Sequence, residues 1–292
     1  MRYKSALLFL LSPLGLLLAE EQSFSYWDFH PWRIGGQMLR VGKANCEHRQ
    51  GHVHYRKSNL FTTILIPVNY DNFFFPRVEF NYVTFDWNKN PKFTETHFYY
   101  MQFGLTYYTT ALEKWKWIAR FDYNLQIEHM SHPGQYSLYS GLLWGAYQIL
   151  PKWHYHIGGL GYGGLEGGQV YPIIGFDYAP NEKWFFQALF PINYSIEYRP
   201  QERWNLALKI RPLKERLRVG SREPQPRSIF SYSSYGGEFN VRYELKYRLT
   251  VEGYGGVNFG GKFYVKDASG HNAIYVPFGA APYFGASIDF GF

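Results

Sequence analysis

An almost complete alternation of apolar and polar residues between positions 117 and 128 constrains the fold of this chain more than any other feature. The apolar positions are Trp117, Ala119, Phe121, Tyr123, Leu125 and Ile127. The intervening positions are Ile118, Arg120, Asp122, Asn124, Gln126 and Glu128. Successive side chains of a β-strand point to opposite faces. The pattern therefore predicts a strand that lies between an apolar and a polar environment.

The same alternation recurs in residues 204–211 and 238–245, where the apolar positions carry no charge. An Arg or Lys facing lipid at the middle of a bilayer would cost about 2–4 kcal/mol, so this exclusion is expected if the apolar face contacts lipid. The segments thus predict a membrane barrel with a polar interior. The residues predicted to line its lumen are Arg120, Asp122, Glu128, Lys209, Arg211, Arg242 and Glu244.

The composition separates this prediction from that of a soluble β-sandwich. Aromatic residues make up 21% of the chain and glycine contributes 29 residues, whereas the mean hydropathy is only −0.34. A membrane barrel places apolar residues at alternate positions and adds aromatic girdles at both interfaces, which accounts for both observations. The single cysteine, Cys46, excludes an intramolecular disulfide.

The amino terminus has the composition of a cleaved secretory signal. Arg2 and Lys4 precede an apolar run over residues 6–18, and Ala19 is followed by two glutamates. The run is shorter than the roughly 20 residues that a membrane helix needs. The expected division of the chain is a signal peptide at 1–19, a periplasmic segment or possible plug at 20–35, and a barrel at 36–292.

Short and long connections alternate along the predicted strands, as in outer-membrane barrels, which have short periplasmic turns and longer external loops. The short connections are expected near 69–75, 110–115, 150–153, 179–183, 199–203 and 245–248. The longer ones are expected near 44–58, 86–93, 129–136, 161–169, 212–236 and 258–279. With Pro191 in a turn, the predicted fold class is all-β, a single antiparallel transmembrane β-barrel with an even number of strands, about 12–14.

The last residues combine alternation with a terminal aromatic residue. Phe284, Ile288, Phe290 and Phe292 share one face with Ala286, and small or polar residues occupy the other face. This ending resembles the carboxyl-terminal signature of bacterial outer-membrane proteins, which the barrel-assembly machinery reads. The resemblance implies that these four large residues act in targeting and closure, and that the protein resides in the bacterial outer membrane.

Residues 187–198 form a strand up to Pro191 and then a second, alternating strand. Their sequence, Gln-Ala-Leu-Phe-Pro-Ile-Asn-Tyr-Ser-Ile-Glu-Tyr, is similar to that of porin-like barrels in a family of unknown function. This local resemblance implies no activity. For the whole chain we expect a non-enzymatic, porin-like channel for small solutes. Two alternatives stay open, namely an outer-membrane lipid-modifying hydrolase and a structural or surface-interaction barrel with a closed lumen.

Histidine and serine residues offer candidate chemistry in the predicted loops. The histidines concerned are His48, His52, His54, His129, His132, His154 and His156. Their spacing does not indicate the three or four converging ligands that a metal requires, so we predict no metal site and no cofactor. Ser131 and Ser137 lie close to His132 in sequence, but no hydrolase motif surrounds them, and we assign no catalytic residue.

A basic run extends over residues 209–227, most of it within the predicted loop 212–236, and the whole chain has a net charge of +7. Arginine binds phosphate groups in bidentate fashion. The loop is therefore predicted either to contact lipopolysaccharide of the outer leaflet or to be a solvated, mobile segment. A secreted barrel does not meet nucleic acid, so we predict no nucleic-acid partner.

Overall fold

The computed structural model describes residues 31–46, 51–88, 92–165, 167–245 and 248–292. The strands are β1 (Trp32–Cys46), β2 (Gly51–Ile64), β3 (Ile66–Asn69), β4 (Asn72–Trp87), β5 (His97–Thr109), β6 (Trp115–Gln126), β7 (Ser137–Leu150), β8 (Trp153–Gly164), β9 (Gln169–Asn181), β10 (Trp184–Phe190), β11 (Asn193–Gln201), β12 (Trp204–Arg218), β13 (Ile229–Glu244), β14 (Leu249–Lys266), β15 (Ile274–Phe278) and β16 (Ala281–Gly291). Short 3-10 helices at Ile127–His129 and Pro133–Gln135 follow β6. Within the described ranges, no helix has the length and apolar character needed to cross a membrane.

The strands form one antiparallel sheet that closes on itself. β16 pairs with both β1 and β14, and β14 also pairs with β13, so the ends of the sheet meet. The short β3 pairs with β4, and the short β15 pairs with β14 and β1. The wall thus has 14 strands, with β3 and β15 as two extra strands. The predicted all-β antiparallel barrel with an even strand count is confirmed.

The side chains of the wall divide into an outer apolar face and an inner polar face. On β6, Phe121 is 53% exposed on the outside, whereas the neighbouring Asp122 on the inside is 2% exposed. Other exposed apolar side chains are Leu105, Leu143, Ile157, Ile174, Leu208 and Phe239. A continuous exposed apolar band of this kind is suited to lipid, because soluble monomers rarely expose large apolar patches.

Turns at one end of the barrel are short, as predicted. These turns cover residues 70–71, 110–114, 151–152, 182–183 and 202–203, and β13 ends at Glu244 with β14 beginning at Leu249. The prediction that Pro191 lies in a turn is confirmed, because β10 ends at Phe190 and β11 begins at Asn193. At the other end, several strands continue into segments predicted as loops, whereas the connections between β4 and β5 and between β6 and β7 are about as long as predicted. Where a loop was predicted at 44–58, for example, β1 extends to Cys46 and β2 begins at Gly51.

The first strand starts at Trp32, so the wall begins slightly before the predicted boundary at position 36. Its beginning is held at the seam with β16, where Arg33 forms an ion pair with Asp289 and the Trp32 ring lies 5.3 Å from that of Phe292. The predicted signal peptide, residues 20–30 of the predicted periplasmic segment, and His48 lie outside the described residues.

Residues 212–236, predicted as the longest external loop, form a hairpin instead. β12 and β13 pair without interruption from Trp204 and Tyr243 to Arg218 and Ile229, and only residues 219–228 connect them. Every residue from 212 to 219 is buried. The loop prediction is wrong here because the inside of the barrel supplies partners for both faces of these strands.

Candidate functional site

The strands β10 and β11 have only 7 and 9 residues, so the wall of the barrel is shortest along the strand direction at this place. β12 pairs with β11 up to Ile210, and beyond that point its described strand partner is β13. The outer part of β12 and β13 is therefore released from the wall on the β11 side. We call residues 213–234, which include the connection between these strands, the inner hairpin.

A bulge directs the inner hairpin into the barrel. The register between β13 and β14 shifts between Ser234 and Gly236, and such bulges bend the strands that contain them. The Ser234 hydroxyl donates a hydrogen bond to Oδ1 of Asn258 at 2.7 Å, and the Gly260 N–H donates to the same oxygen at 2.7 Å. Gly260 has a φ of 86°, a left-handed conformation that favours glycine. The bend is thus fixed by specific contacts.

One face of the inner hairpin packs against the inside of the wall through aromatic side chains. Tyr232 stacks on Tyr55, with ring centroids 4.9 Å apart, and on Phe278 at 5.0 Å. Phe230 packs edge-on against Phe85 at 4.8 Å. Aromatic side chains of this size bury roughly 150–250 Å² each. The hairpin is therefore held by an apolar core inside the barrel.

Glu215 provides a polar anchor within this packed face. Its carboxylate accepts hydrogen bonds from the hydroxyls of Tyr55 at 2.8 Å and Tyr100 at 3.3 Å, and Lys57 Nζ lies 3.3 Å away. Glu215 itself is only 5% exposed. Burying a carboxylate is costly unless it is paired and hydrogen-bonded, so these three residues of β2 and β5 determine where the hairpin can sit.

The outer end of the inner hairpin is fastened to three other parts of the barrel. The backbone N–H of Arg218 donates to Oε1 of Gln126 at 2.8 Å, and Gln126 returns a bond to the carbonyl of Arg218 at 2.9 Å. The Arg218 guanidinium donates to the carbonyls of Leu165 at 2.8 Å and Ala268 at 3.0 Å. These bonds join the hairpin to β6 and to the loops that follow β8 and β14.

Glu95, Glu128 and His129 meet at the mouth of the barrel beside the hairpin tip. Their potential ligand atoms lie within 4.8 Å of one another, and the Gly220 N–H donates to Oε2 of Glu95 at 2.7 Å. The pKa of Glu95 is raised to about 7, mainly by burial and also by the nearby Glu128 carboxyl. Burial also lowers the pKa of His129. The arrangement meets the distance requirement of a cation site, and a proton shared by the two carboxyls also relieves their repulsion.

The Glu95 contact predicts that the stability of the barrel depends on pH. The folded protein retains a proton that the unfolded chain loses near the ordinary pKa of 4.5. The resulting stabilisation is complete below that value and is lost as the pH rises through about 7. We expect the thermal unfolding midpoint to fall between pH 5 and 8, and to fall less in Glu95→Gln. Identical pH profiles for the two proteins would contradict this role of Glu95.

Below the inner hairpin, the inside of the wall carries buried ion pairs. Arg120 and Asp122 lie together on β6, with Nε and Oδ2 2.8 Å apart. Gln102 and Ser140, from the two adjacent strands, also donate hydrogen bonds to Asp122. Asp122 is thus fully engaged by donors from β5, β6 and β7, which keeps its charge compatible with burial.

Two further ion pairs extend the polar lining to other strands. Arg77 and Glu79 interact on β4 at 2.6 Å. On the opposite part of the wall, Arg211 lies 2.8 Å from Oε1 of Glu238, and the Tyr283 hydroxyl donates to Oε2 of Glu238 at 2.8 Å. The charges therefore occur mainly as opposite pairs, which lowers the net field inside the barrel.

The other four residues predicted to line the lumen do not belong to these three ion pairs. Lys209 and Arg242 both interact electrostatically with Glu252 on β14. Glu244 is half-buried at the end of β13. Glu128 is not on the strand at all, because β6 ends at Gln126 and the following 3-10 helix carries Glu128 on its exposed surface. The alternation at its end overestimates the length of β6 by two residues.

Two small cavities lie next to the inner hairpin. A cavity of about 70 Å³ lies under the hairpin, and another of about 30 Å³ lies beside it. The larger is lined by Lys214, Glu215, Arg120, Arg211 and Gln102, among others. A water molecule needs about 10–15 Å³ of such space. Both cavities therefore have the size of small hydrated compartments.

The candidate histidines and serines have structural partners. His154 Nδ1 and His156 Nε2 lie 2.7 and 3.0 Å from the two carboxylate oxygens of Asp177 on β9. Ser131 Oγ and His132 Nδ1 are 3.0 Å apart on the exposed surface. Among the described residues, no carboxylate holds the His132 ring, so these two residues do not form a triad.

Comparison with protein families gives one match that covers most of the chain. The model of a domain of unknown function, DUF6268, matches residues 72–291, which extend from the first residue of β4 to the last residue of β16. The match thus includes the inner hairpin and all but the first part of the barrel.

Related proteins occur in chlamydiae. An uncharacterized protein of Chlamydia pneumoniae is 27% identical over 197 residues, which cover 67% of this chain and 62% of that protein. An uncharacterized protein of Chlamydia trachomatis serovar D is 26% identical over 211 residues, which cover 68% of this chain and 63% of that protein. The chain therefore spans less than two thirds of the length of these relatives.

A solved structure with a similar fold is the COG4313 outer membrane channel from Pseudomonas putida F1. The TM-score is 0.53 and the sequence identity 8%, with 91% of this chain and 99% of that chain covered. At this identity the likeness concerns the fold alone. The resemblance of the chain to bacterial outer-membrane β-barrels is confirmed at that level.

Proposed function

The chain belongs to the DUF6268 family, and we propose that it is a bacterial outer-membrane channel for small polar solutes, gated by its inner hairpin. The observation that carries the proposal is a barrel with an apolar outside, a polar inside and a hairpin folded into its lumen. The proposal also includes a cleaved signal at 1–19 and assembly through Phe284, Ile288, Phe290 and Phe292.

The polar lining supports passage of hydrated solutes. Pairs such as Arg120 with Asp122 and Arg211 with Glu238 offer donors and acceptors that can replace water around a polar molecule. A barrel of 14 strands is wider than barrels of about eight strands, whose interior side chains fill, and narrower than porins of about 16–18 strands, which have an aqueous channel. An additional element such as the hairpin can therefore control whether the lumen conducts.

The attachment of the inner hairpin supports its role as a gate. The strand β12 does not pair with β11 beyond Ile210, so no backbone pairing holds the hairpin on that side of the wall. On its other side, residues 229–234 of β13 pair with residues 261–266 of β14, so a movement would pivot about β14. The hairpin is held by polar contacts, above all the hydrogen bonds from Tyr55 and Tyr100 to Glu215. Water or a polar solute can replace either partner in these hydrogen bonds. Loss of these bonds would weaken the closed position.

The test is single-channel recording of refolded residues 20–292 in a planar bilayer, with folding checked by heat-dependent gel mobility. We expect discrete openings whose conductance increases with salt concentration. Glu215→Ala should lengthen the openings, because the hairpin loses its buried acceptor. The matched control is Glu202→Ala in the short turn between β11 and β12, which should behave like the unmodified protein.

A closed-lumen structural barrel is the second candidate, since the cavities beside the hairpin measure only about 70 and 30 Å³. Silence from demonstrably folded protein, with and without the Glu215→Ala substitution, would favour that candidate and contradict the channel. Contacts between the exposed hairpin tip and lipopolysaccharide fit either candidate, because Arg222 and Arg227 are exposed there.

A further inference from the structure

Lys214 is a buried cation for which the described protein provides no hydrogen-bond acceptor. It is 5% exposed, and its Nζ is among the buried polar atoms that have no hydrogen-bond partner in the described residues. The ring of Tyr235 lies 5.4 Å from Nζ, a weaker contact than a hydrogen bond to an anion. Lys214 thus differs from Arg120 and Arg211, which have carboxylate partners.

The charges around Lys214 are of the same sign. Arg216 follows two residues later on the same face of β12, and Lys262 lies across β13 at the level of Lys214, because both pair with Ser233. Arg216 and Lys262 are also the charged groups that act on Lys214 electrostatically. The only carboxylate of this part of β12, Glu215, points to the opposite face and is engaged there by Tyr55.

The larger cavity adjoins Lys214 and contains further donors. Tyr100, Gln102, Arg120 and Arg211 line it together with Lys214. The carboxylates of Glu79 and Glu215 line it as well, and they are already engaged by Arg77 and Tyr55. Its volume of about 70 Å³ exceeds several times the roughly 10–15 Å³ that a single water occupies on this measure. The cavity therefore has room for a small anion of the size of phosphate.

We infer that Lys214 is the central ligand of a binding site for a small oxyanion, phosphate or carboxylate, under the inner hairpin. Arg216 and Lys262 contribute a positive potential on the same face. An oxyanion would provide the acceptor that Lys214 lacks and would offset the charge of all three residues. The inference rests on the proposed channel function and adds to it the chemical class of the solute.

Binding can be measured without conductance, through the thermal unfolding midpoint of the folded barrel in detergent. A ligand that binds only the folded state raises this midpoint. We expect inorganic phosphate to raise it more than chloride at equal ionic strength. Lys214→Met keeps the length of the side chain but removes its charge. In this variant, the phosphate concentration that gives half of the rise in the unfolding midpoint should be at least about tenfold higher, because one charge-assisted hydrogen bond is lost.

The matched control is Lys183→Met, which removes the same charge from the exposed turn between β9 and β10 and should respond to phosphate like the unmodified protein. In bilayers, the reversal potential under a KCl gradient should indicate anion selectivity that Lys214→Met reduces. Equal phosphate responses of the unmodified protein and Lys214→Met would overturn the site, even if the barrel conducts. A phosphate response lost in Lys214→Met, in a barrel that conducts no ions, would support the site and contradict the channel.

Discussion

Replacing Leu143 by Arg is expected to prevent most of the chain from inserting as a folded barrel. Leu143 lies in the middle of β7, between Ala119 of β6 and Gly159 of β8, and is 55% exposed on the outer face. An arginine that faces lipid at the middle of the bilayer costs about 2–4 kcal/mol. A loss of that size is a large fraction of the net stability of a typical folded protein, about 5–15 kcal/mol.

Ile149 offers a control on the same strand, at the irregularity between Gln148 and Leu150. It is 48% exposed but lies next to the turn at 151–152, where an arginine costs only about 0–1 kcal/mol. The fraction of folded protein after refolding into liposomes, measured by heat-dependent gel mobility, compares the two substitutions. Equal folding yields for Leu143→Arg and Ile149→Arg would contradict the assignment of the outer face to lipid.

The barrel could be predicted from the sequence wherever a strand separates two different environments. β6 is such a strand, because Phe121 and its outer neighbours contact a different medium from Asp122 and its inner neighbours. In such strands the period of two is visible in the residues themselves. The same pattern predicted that Arg120 and Asp122 lie on one face. It did not predict that Gln102 of β5 and Ser140 of β7 donate hydrogen bonds to Asp122.

The inner hairpin could not be predicted in this way because both of its faces are buried. Lys214, Glu215, Arg216 and Arg218 come close together in sequence, which is typical of a solvated loop. Their partners are far away in the chain, and the bond between Tyr55 and Glu215, for example, spans 160 positions. No local pattern encodes such a contact.

A signal for the hairpin nevertheless exists in the strands that it contacts. Phe85, Phe98 and Tyr100 lie on the inner face of β4 and β5, yet they are 8% exposed or less. A water-filled lumen does not require large aromatic side chains at these positions. Inward-facing aromatic residues near the outer ends of neighbouring strands therefore predict an apolar element inside the barrel.

Removing the inner hairpin is expected to convert the barrel into a continuously open pore. Pro212 and Tyr235 are directly opposite each other, so an Asn-Gly turn, which suits a two-residue hairpin connection, can replace residues 213–234. The substitution removes the aromatic rings and charged side chains that fill the lumen and leaves the pairs Arg120–Asp122 and Arg211–Glu238 in the wall. The deletion also removes the pairing of residues 229–234 with residues 261–266 of β14. The shortened protein should still fold, because the pairing of β12 with β13 up to Pro212 and of β13 with β14 from Gly236 onward is retained.

The control for this deletion is a trimmed protein in which Gly-Gly replaces residues 221–226 of the exposed tip. It retains the buried parts of β12 and β13, so its lumen should stay filled. Its conductance should resemble that of the unmodified protein.

The most direct test of the account is the single-channel conductance of these three folded proteins under identical salt conditions. If the inner hairpin closes the lumen, only the protein without residues 213–234 should show a steady conductance, several-fold higher than that of the unmodified protein. A folded barrel without the inner hairpin that conducts no more than the unmodified protein would contradict this account, because the wall itself would then close the lumen.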